Sequence, residues 1–417
     1  MIVGLFNGIA VGIAGMIGGG IFLMNGTVVK NVGKYAPLSW LIGFIICITV
    51  TYSYLILSLE YPSKFGSILY PNKLLTNNLS KLISGLIIYL GYLVLISVYA
   101  LSFGNYVSHY LNIGRLKNFV AILALIISMI SVYMPKRIFE NIINILVSFK
   151  VIIFSLIILL GIYLPRTSAP LKRNTNLQTI SLFTSLIYGI KVFLSYEGFE
   201  MISNLSSKME NRDTFLPLSY ILSVSIVCLI YMGLSYVTNK HLYGIINEKN
   251  QYSSIMTLTK MYNSHYITPL IVTLLCVISE ISAINASLFT NNLIIERYIR
   301  DLKLPRWVMD ILQSDIQLPF LKTKRKLYIW VGFLISMFLV FVPEILIVNF
   351  GSILFLLTFG IISYAAYLLV NKKEKEKKQI IILKRKIPNN ISKIITALGM
   401  GFCLVGGGLL LTNIAKI

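Results

Sequence analysis

Ala14-Gly15-Met16-Ile17-Gly18-Gly19-Gly20-Ile21-Phe22 lies inside an apolar run from Ile2 to about Val29, long enough to cross a bilayer. Glycine at positions 15, 18, 19 and 20 weakens a helix there, because each Gly costs roughly 1 kcal/mol relative to Ala. Backbone N–H and C=O groups freed by such a break cannot stay unpaired in hydrocarbon. Non-helical backbone at membrane depth survives only where it is buried in protein or lines a wet cavity. The stretch therefore predicts two half-helices whose ends face a polar site. Half-helix N-termini attract anions and half-helix C-termini attract cations. This is one half of a binding site suited to a small zwitterion.

The surrounding composition fits a membrane. The chain has 417 residues, 56% of them hydrophobic and 12% charged, whereas a soluble chain carries about a quarter charged residues. The reading is an all-α polytopic membrane protein in the cell membrane. No cleavable signal is expected, since the first apolar run is too long and no small-residue cleavage site follows it. A net charge of +22 raises the possibility of nucleic-acid binding. The basic residues, however, sit in short loops between apolar runs, so no nucleic-acid partner is expected. Cys47, Cys228, Cys276 and Cys403 all fall in apolar runs without metal-ligand spacing, which predicts buried small hydrophobes and no metal site. His109, His241 and His265 fall in or beside loops and read as surface histidines.

Apolar runs recur at roughly 2–29, 38–60, 82–108, 118–134, 142–164, 178–206, 216–239, 266–296, 327–342, 344–370 and 392–414, which predicts eleven helices. With the N-terminus in the cytoplasm, cytoplasmic segments hold 24 Lys and Arg and external ones 11. The other two, Lys150 and Lys191, lie inside helices. The asymmetry favours that orientation. The most basic loop, Asn371 to Lys393, reads as a solvated topology determinant, although its cations could also attract anionic lipid. The longer connections are Arg300 to Lys326, with Pro305 and Pro319, and Asn239 to His265.

Ten of the helices divide into two sets of five, so a break in helix 1 predicts a second one in helix 6. Helix 6 reads Ile187-Tyr188-Gly189-Ile190-Lys191-Val192-Phe193-Leu194-Ser195-Tyr196-Glu197-Gly198-Phe199-Glu200. Here a glycine and two carboxylates interrupt an apolar helix. A charge at a helix centre costs about 2.5–3.5 kcal/mol on insertion scales, so Glu197 and Glu200 are expected to face protein.

At this point the sequence resembles the amino acid–polyamine–organocation permeases, which have the LeuT-type fold. Ile17-Gly18-Gly19-Gly20-Ile21-Phe22 is similar to that family's helix 1 signature, I-G-S/T-G-I-F. Phe193 to Glu200 resembles its helix 6 signature, F-x-A/S-Y-x-G-F-E. Met209 to Pro217 is similar to E-x-x-N-P-x-R-x-x-P without the first Pro. Glu60-Tyr61-Pro62, Gly66, Ser282-Ala283-Ile284-Asn285-Ala286 and Arg297 follow the family in order, over about residues 1–370. Departures are Gly19 in place of the family's Ser/Thr, Ala14 where many members have Gly, and eleven helices where most members have twelve. The resemblance implies a LeuT-like 5+5 inverted repeat with broken helices 1 and 6, plus an eleventh helix. The units would be a first repeat over 1–164, a second over 178–370, a basic cytoplasmic loop over 371–393 and an additional helix over 394–417.

The expected substrate-binding residues are Ala14, Gly15, Met16, Ile17, Gly18, Gly19 and Gly20 on helix 1, with Phe193, Ser195, Tyr196, Glu197 and Gly198 on helix 6. Gly4, Gly8 and Gly12 read as a ridge for close helix packing. Lys150 sits mid-helix, where snorkelling to the interface is awkward. The resemblance implies that its ammonium stands where sodium-coupled relatives of the fold hold an ion, against helix 1 carbonyls. A lysine held out of water there could carry a proton. Glu197 could answer a substrate amine, carry a proton, or pair with Lys191. Glu200 and Glu280 read as structural pairs. Phe193, Tyr196 and Phe199 are gate or cavity aromatics by resemblance, and Tyr92 and Tyr99 are cavity candidates by fold analogy.

Together these readings predict a secondary active transporter of amino acids. It would be proton-coupled and sodium-independent and would work by alternating access without a cofactor. The alternatives are a polyamine or cationic amino acid exchanger with Glu197 as counter-charge, and a receptor that binds a solute without moving it. No Cys/His catalytic pair or phosphate-cradling motif argues for an enzyme.

Overall fold

A computed structural model of the chain describes residues 3–132, 136–165, 182–246, 251, 254–262, 267–301, 305–317 and 324–414. His265 and Pro319 lie outside the described residues.

Each of the eleven apolar runs falls on helix. In chain order these are α1 (Leu5–Met16) with α2 (Gly19–Val32), α3 (Ala36–Glu60), α5 (Asn78–Tyr110), α6 (Lys117–Val132) and α7 (Lys136–Tyr163). They continue with α8 (Leu182–Val192), α9 (Arg212–Leu242), α11 (Ile267–Asp301), α13 (Leu327–Leu339), α14 (Glu344–Lys375) and α15 (Asn389–Ile414). The short helices α4 (Gly66–Leu74), α10 (Ser254–Tyr262) and α12 (Arg306–Leu312) lie in the connections. Among the described residues, seven helical spans are long and apolar enough to cross a membrane. Large side chains such as Phe119 (65%), Leu229 (70%) and Phe338 (75%) are exposed on three different helices. In water a surface like this would drive association. Against lipid it costs nothing, so the chain is an all-α multi-pass membrane protein.

Local signals set the boundaries. Gly33 takes φ +56, which lets the chain turn back from α2 into α3. Asn77 caps α5, its side chain accepting from Leu79 N–H at 2.9 Å. Two connections carry short hairpins: β1 (Asp315–Gln317) with β2 (Lys324–Lys326), and β3 (Ile380–Ile382) with β4 (Arg385–Ile387). The second lies in the most basic segment, which therefore holds an ordered turn with Leu383 and Lys384 both at positive φ.

α1 and α8, which lead into the two interruptions, pack on α9 and α3 respectively, and α3 and α9 pack on each other. α5 runs beside them as a central post that touches α6, α11, α13 and α14. α15 docks on α14 and α3. The expected glycine ridge packs at two of its three positions: Gly8 meets Ser219 and Gly12 meets Ser223, both on α9, whereas Gly4 faces open space. All four cysteines are buried and free, as expected. The histidines divide. His109 is exposed. His241 corrects the surface expectation: it is buried against Tyr262, with Nε2 2.8 Å from Gly161 O.

Candidate functional site

Both interruptions are present. α1 stops at Met16 and α2 starts at Gly19, leaving Ile17 and Gly18 outside either helix. The second break is longer. α8 ends at Val192, a 3-10 turn covers Phe193–Tyr196, Glu197 and Gly198 form a bend, and 3-10 backbone continues over Phe199–Leu205.

The breaks meet backbone to backbone. Gly198 sits at φ +118, a conformation that disfavours any side chain, and faces the Gly15 backbone. A Cβ on Gly15 would stand 2.8 Å from Gly198 Cα, and one on Gly20 would stand 2.8 Å from Ser195 Cα. Only glycine permits this approach. A short parallel bridge also ties the start of the first broken helix to the end of the second. Val3 N–H donates to Lys208 O, and Glu210 N–H donates to Val3 O, each at 2.9 Å.

Neighbouring side chains reach the carbonyls that the first break frees. Tyr99 Oη donates to Gly15 O at 3.1 Å. The Tyr231 hydroxyl lies 2.6 Å from Met16 O and 2.9 Å from Ser195 O, so one side chain spans both breaks. Lys150 is fully buried, and its ammonium donates to Ile17 O at 3.0 Å and Ser282 Oγ at 2.9 Å. A cation at the carbonyl end of α1 complements the helix dipole. Within the second break, Glu200 acts as a cap. Its Oε2 accepts from Gly198 N–H at 2.8 Å and its Oε1 from Tyr92 Oη at 2.7 Å. No ion pair joins Lys191 to Glu197 among the described residues. The Lys191 ammonium instead lies 4.9 Å from the Tyr188 ring centre.

A cavity of about 460 Å³ opens beside the breaks, within the size range of small-molecule sites. Of the expected site residues, Met16, Gly20, Ser195 and Glu197 line it. Ala14, Gly15, Ile17, Gly18, Gly19, Phe193, Tyr196 and Gly198 lie outside its wall. Phe193 packs on Phe359, while Tyr196 packs on Trp40 and donates to Trp40 O at 2.9 Å. Tyr99 lines the cavity and Tyr92 does not. The rest of the wall is mainly apolar, including Leu23, Leu95, Val98, Leu194 and Phe355. Glu344 at the start of α14 is also in the wall, and Asn105 Nδ2 donates to its Oε1 at 2.8 Å. Glu197 is buried in the wall, and its Oε1 has no hydrogen-bond partner. A buried carboxylate oxygen left open beside a cavity is suited to receive a ligand's N–H.

Residue reading alone did not single out Tyr231 or Glu344. Tyr231 is one of 25 tyrosines, and nothing in its own helix sets it apart. Glu344 follows Pro343 at a helix start and reads as an ordinary N-terminal carboxylate.

Over residues 3–415 the chain matches the amino acid permease family. It is 25% identical over 316 residues to the inner membrane transport protein YbaT of Escherichia coli strain K12, covering 73% of this chain and 70% of that one. It is 24% identical over 234 residues to the uncharacterized protein MJ0609 of Methanocaldococcus jannaschii, covering 55% of this chain and 53% of the other. Because the family match runs through both breaks and nearly to each end, this chain belongs to the amino acid permease family.

Proposed function

We propose that this permease is a secondary active transporter of amino acids, proton-coupled and sodium-independent, working by alternating access. The observation that supports it most is the pair of interrupted helices in backbone contact beside a cavity. Interrupted helices in corresponding positions of two halves mark the substrate site of repeat-built transporters. On this reading residues 1–164 and 178–370 are the two five-helix repeats, with 371–393 and 394–417 appended. The N-terminus is cytoplasmic, and Glu344, at the start of the tenth helix, α14, then lies toward the outside.

The substrate carboxylate meets the N-terminus of α2 at Gly20, where backbone N–H groups bind anions without a charged side chain. The ammonium lies toward the last carbonyls of α1 and toward Glu197. Gly15 and Ile17 oxygens each already accept one side-chain donor but keep a second lone pair, whereas Met16 O accepts from both the Tyr231 hydroxyl and the Gly18 N–H. Lys150, through the charge it holds at the α1 carbonyls, and Glu197, in the cavity wall, take part in ion or proton coupling. The two broken helices move with their bundle against the remaining helices.

A cationic substrate, an amine or basic amino acid, is the second reading, favoured by the open Oε1 of Glu197. Uptake of radiolabelled amino acids and polyamines into proteoliposomes, with and without a pH gradient, decides between them. Gradient-driven accumulation of a neutral amino acid supports the first. Preference for cations that is lost in Glu197→Gln supports the second. Saturable binding without accumulation rejects transport.

A further inference from the structure

A carboxylate already stands at the helix end where the substrate is placed. Glu280 on α11 is fully buried. Its Oε1 accepts from Ser102 Oγ at 2.6 Å and from the Cys276 thiol at 3.9 Å. Its Oε2 has no formed hydrogen bond and lies against the Gly19 backbone, 3.6 Å from where a Cβ on Gly19 would stand. The Gly18 N–H is turned to Met16 O at 3.0 Å, so α2 offers its N-terminal charge through Gly19 and the residues after it. Gly20 presents that charge to the cavity, and Gly19 presents it to Glu280 from behind the break.

The polar and titratable groups around Glu280 are Lys150 from α7, Tyr99, Ser102 and Tyr106 from α5, Tyr231 from α9, and Cys276 on its own helix. Lys150 is the cation of the set, and Ile17 O and Ser282 Oγ already hold its ammonium. A resident pair thus fills both poles of the break: Lys150 at the carbonyl end of α1, and Glu280 at the N–H end of α2.

We propose that Glu280 takes up the coupling proton when a substrate carboxylate binds at Gly20, so that each zwitterion brings one proton with it. This rests on the transport reading above. Where Glu280 is ionised in the empty site, the Lys150 ammonium is the charge that balances it. An arriving carboxylate puts two negative charges on one helix end, away from bulk water. Protonation at Oε2, the oxygen without a partner, removes one of them. The proton comes from the medium to which the cavity opens and leaves to the other side after the substrate departs. The only bond made and broken is that O–H, and one positive charge crosses per zwitterion. By linkage, substrate affinity falls about tenfold per pH unit above the titration of Glu280.

Binding of a panel of radiolabelled common amino acids to the purified full-length chain, from acidic to alkaline pH, tests this. Wild type should show the tenfold-per-unit limb, and Glu280→Gln should bind independently of pH at the acid-limit affinity. Ser102→Ala removes a donor but keeps the carboxyl, so it should retain the slope with a shifted midpoint. A wild-type slope in Glu280→Gln overturns the proposal, as does an unshifted midpoint in Ser102→Ala should the first variant not fold. Binding of no amino acid by wild type overturns the transport reading as well. Binding with an unaltered slope overturns this inference alone.

Discussion

The two interruptions solve one problem by opposite means. The first is short, is made of glycine, and has no charged side chain of its own. Its loose carbonyls are held by Tyr99 from α5, Lys150 from α7 and Tyr231 from α9. The second is long and supplies a cap of its own: Glu200, four residues beyond the Phe193–Tyr196 turn, closes onto the Gly198 N–H, with Tyr92 and Tyr231 as outside donors. A break stabilised by its neighbours is sensitive to how those neighbours stand, whereas one that caps itself keeps its shape when they move. The first break is therefore the place where the position of the surrounding helices can alter ligand affinity.

Substitutions that remove one support at a time can break or sharpen that contrast. The largest effect is expected from Gly198→Ala. The left-handed backbone alone costs about 1–2 kcal/mol in an L-residue, and the new Cβ would run into the Gly15 backbone. Loss of monodisperse protein in detergent is the expected readout, and a well-folded variant would show that the backbone contact is dispensable. Next comes Lys150→Ala, expected to abolish proton-driven uptake while leaving folded protein, because it strips the cation from Ile17 O. Full sodium-independent, proton-coupled uptake by that variant would reject the coupling role. Tyr231→Phe should lower thermal stability by about 1–2 kcal/mol, the cost of a buried acceptor losing its donor. It should also weaken substrate binding, since the hydroxyl ties both breaks together. The smallest effect is expected from Glu200→Gln, about 1 kcal/mol in stability, because the amide oxygen can still serve one of the two donors. An effect on uptake as large as that of Lys150→Ala would undo the distinction between the two breaks.

Much of this was legible in the chain because the signals are local. Glycine at positions 15 and 18–20, and carboxylates at 197 and 200, are conspicuous in apolar helices, and their positions follow from residue cost alone. What could not be read depends on distant partners. Phe199–Leu205 has the composition of ordinary helix yet adopts 3-10 backbone, where Ser203 and Asn204 press against Gly66. The cavity wall was only partly foreseen. Tyr188, Lys191 and Leu194 line it from the α8 side, whereas Phe193 and Tyr196 turn into packed aromatic clusters. Which side of an unwound segment faces a ligand is fixed by its neighbours, not by its own spacing. The β3–β4 hairpin escaped notice for a different reason: Leu383-Lys384 carries no Asn-Gly or Asp-Gly signature, although both residues take positive φ.

The isolated bridge between Val3 and Met209 has a mechanical consequence. It fastens the tips of the two interrupted rods to each other where α1 begins, much as a clasp joins two straps. A passage on that side cannot form by parting the tips while the clasp holds. Should this end open in a transport cycle, they would swing away together as a single flap, a two-helix event from its first moment.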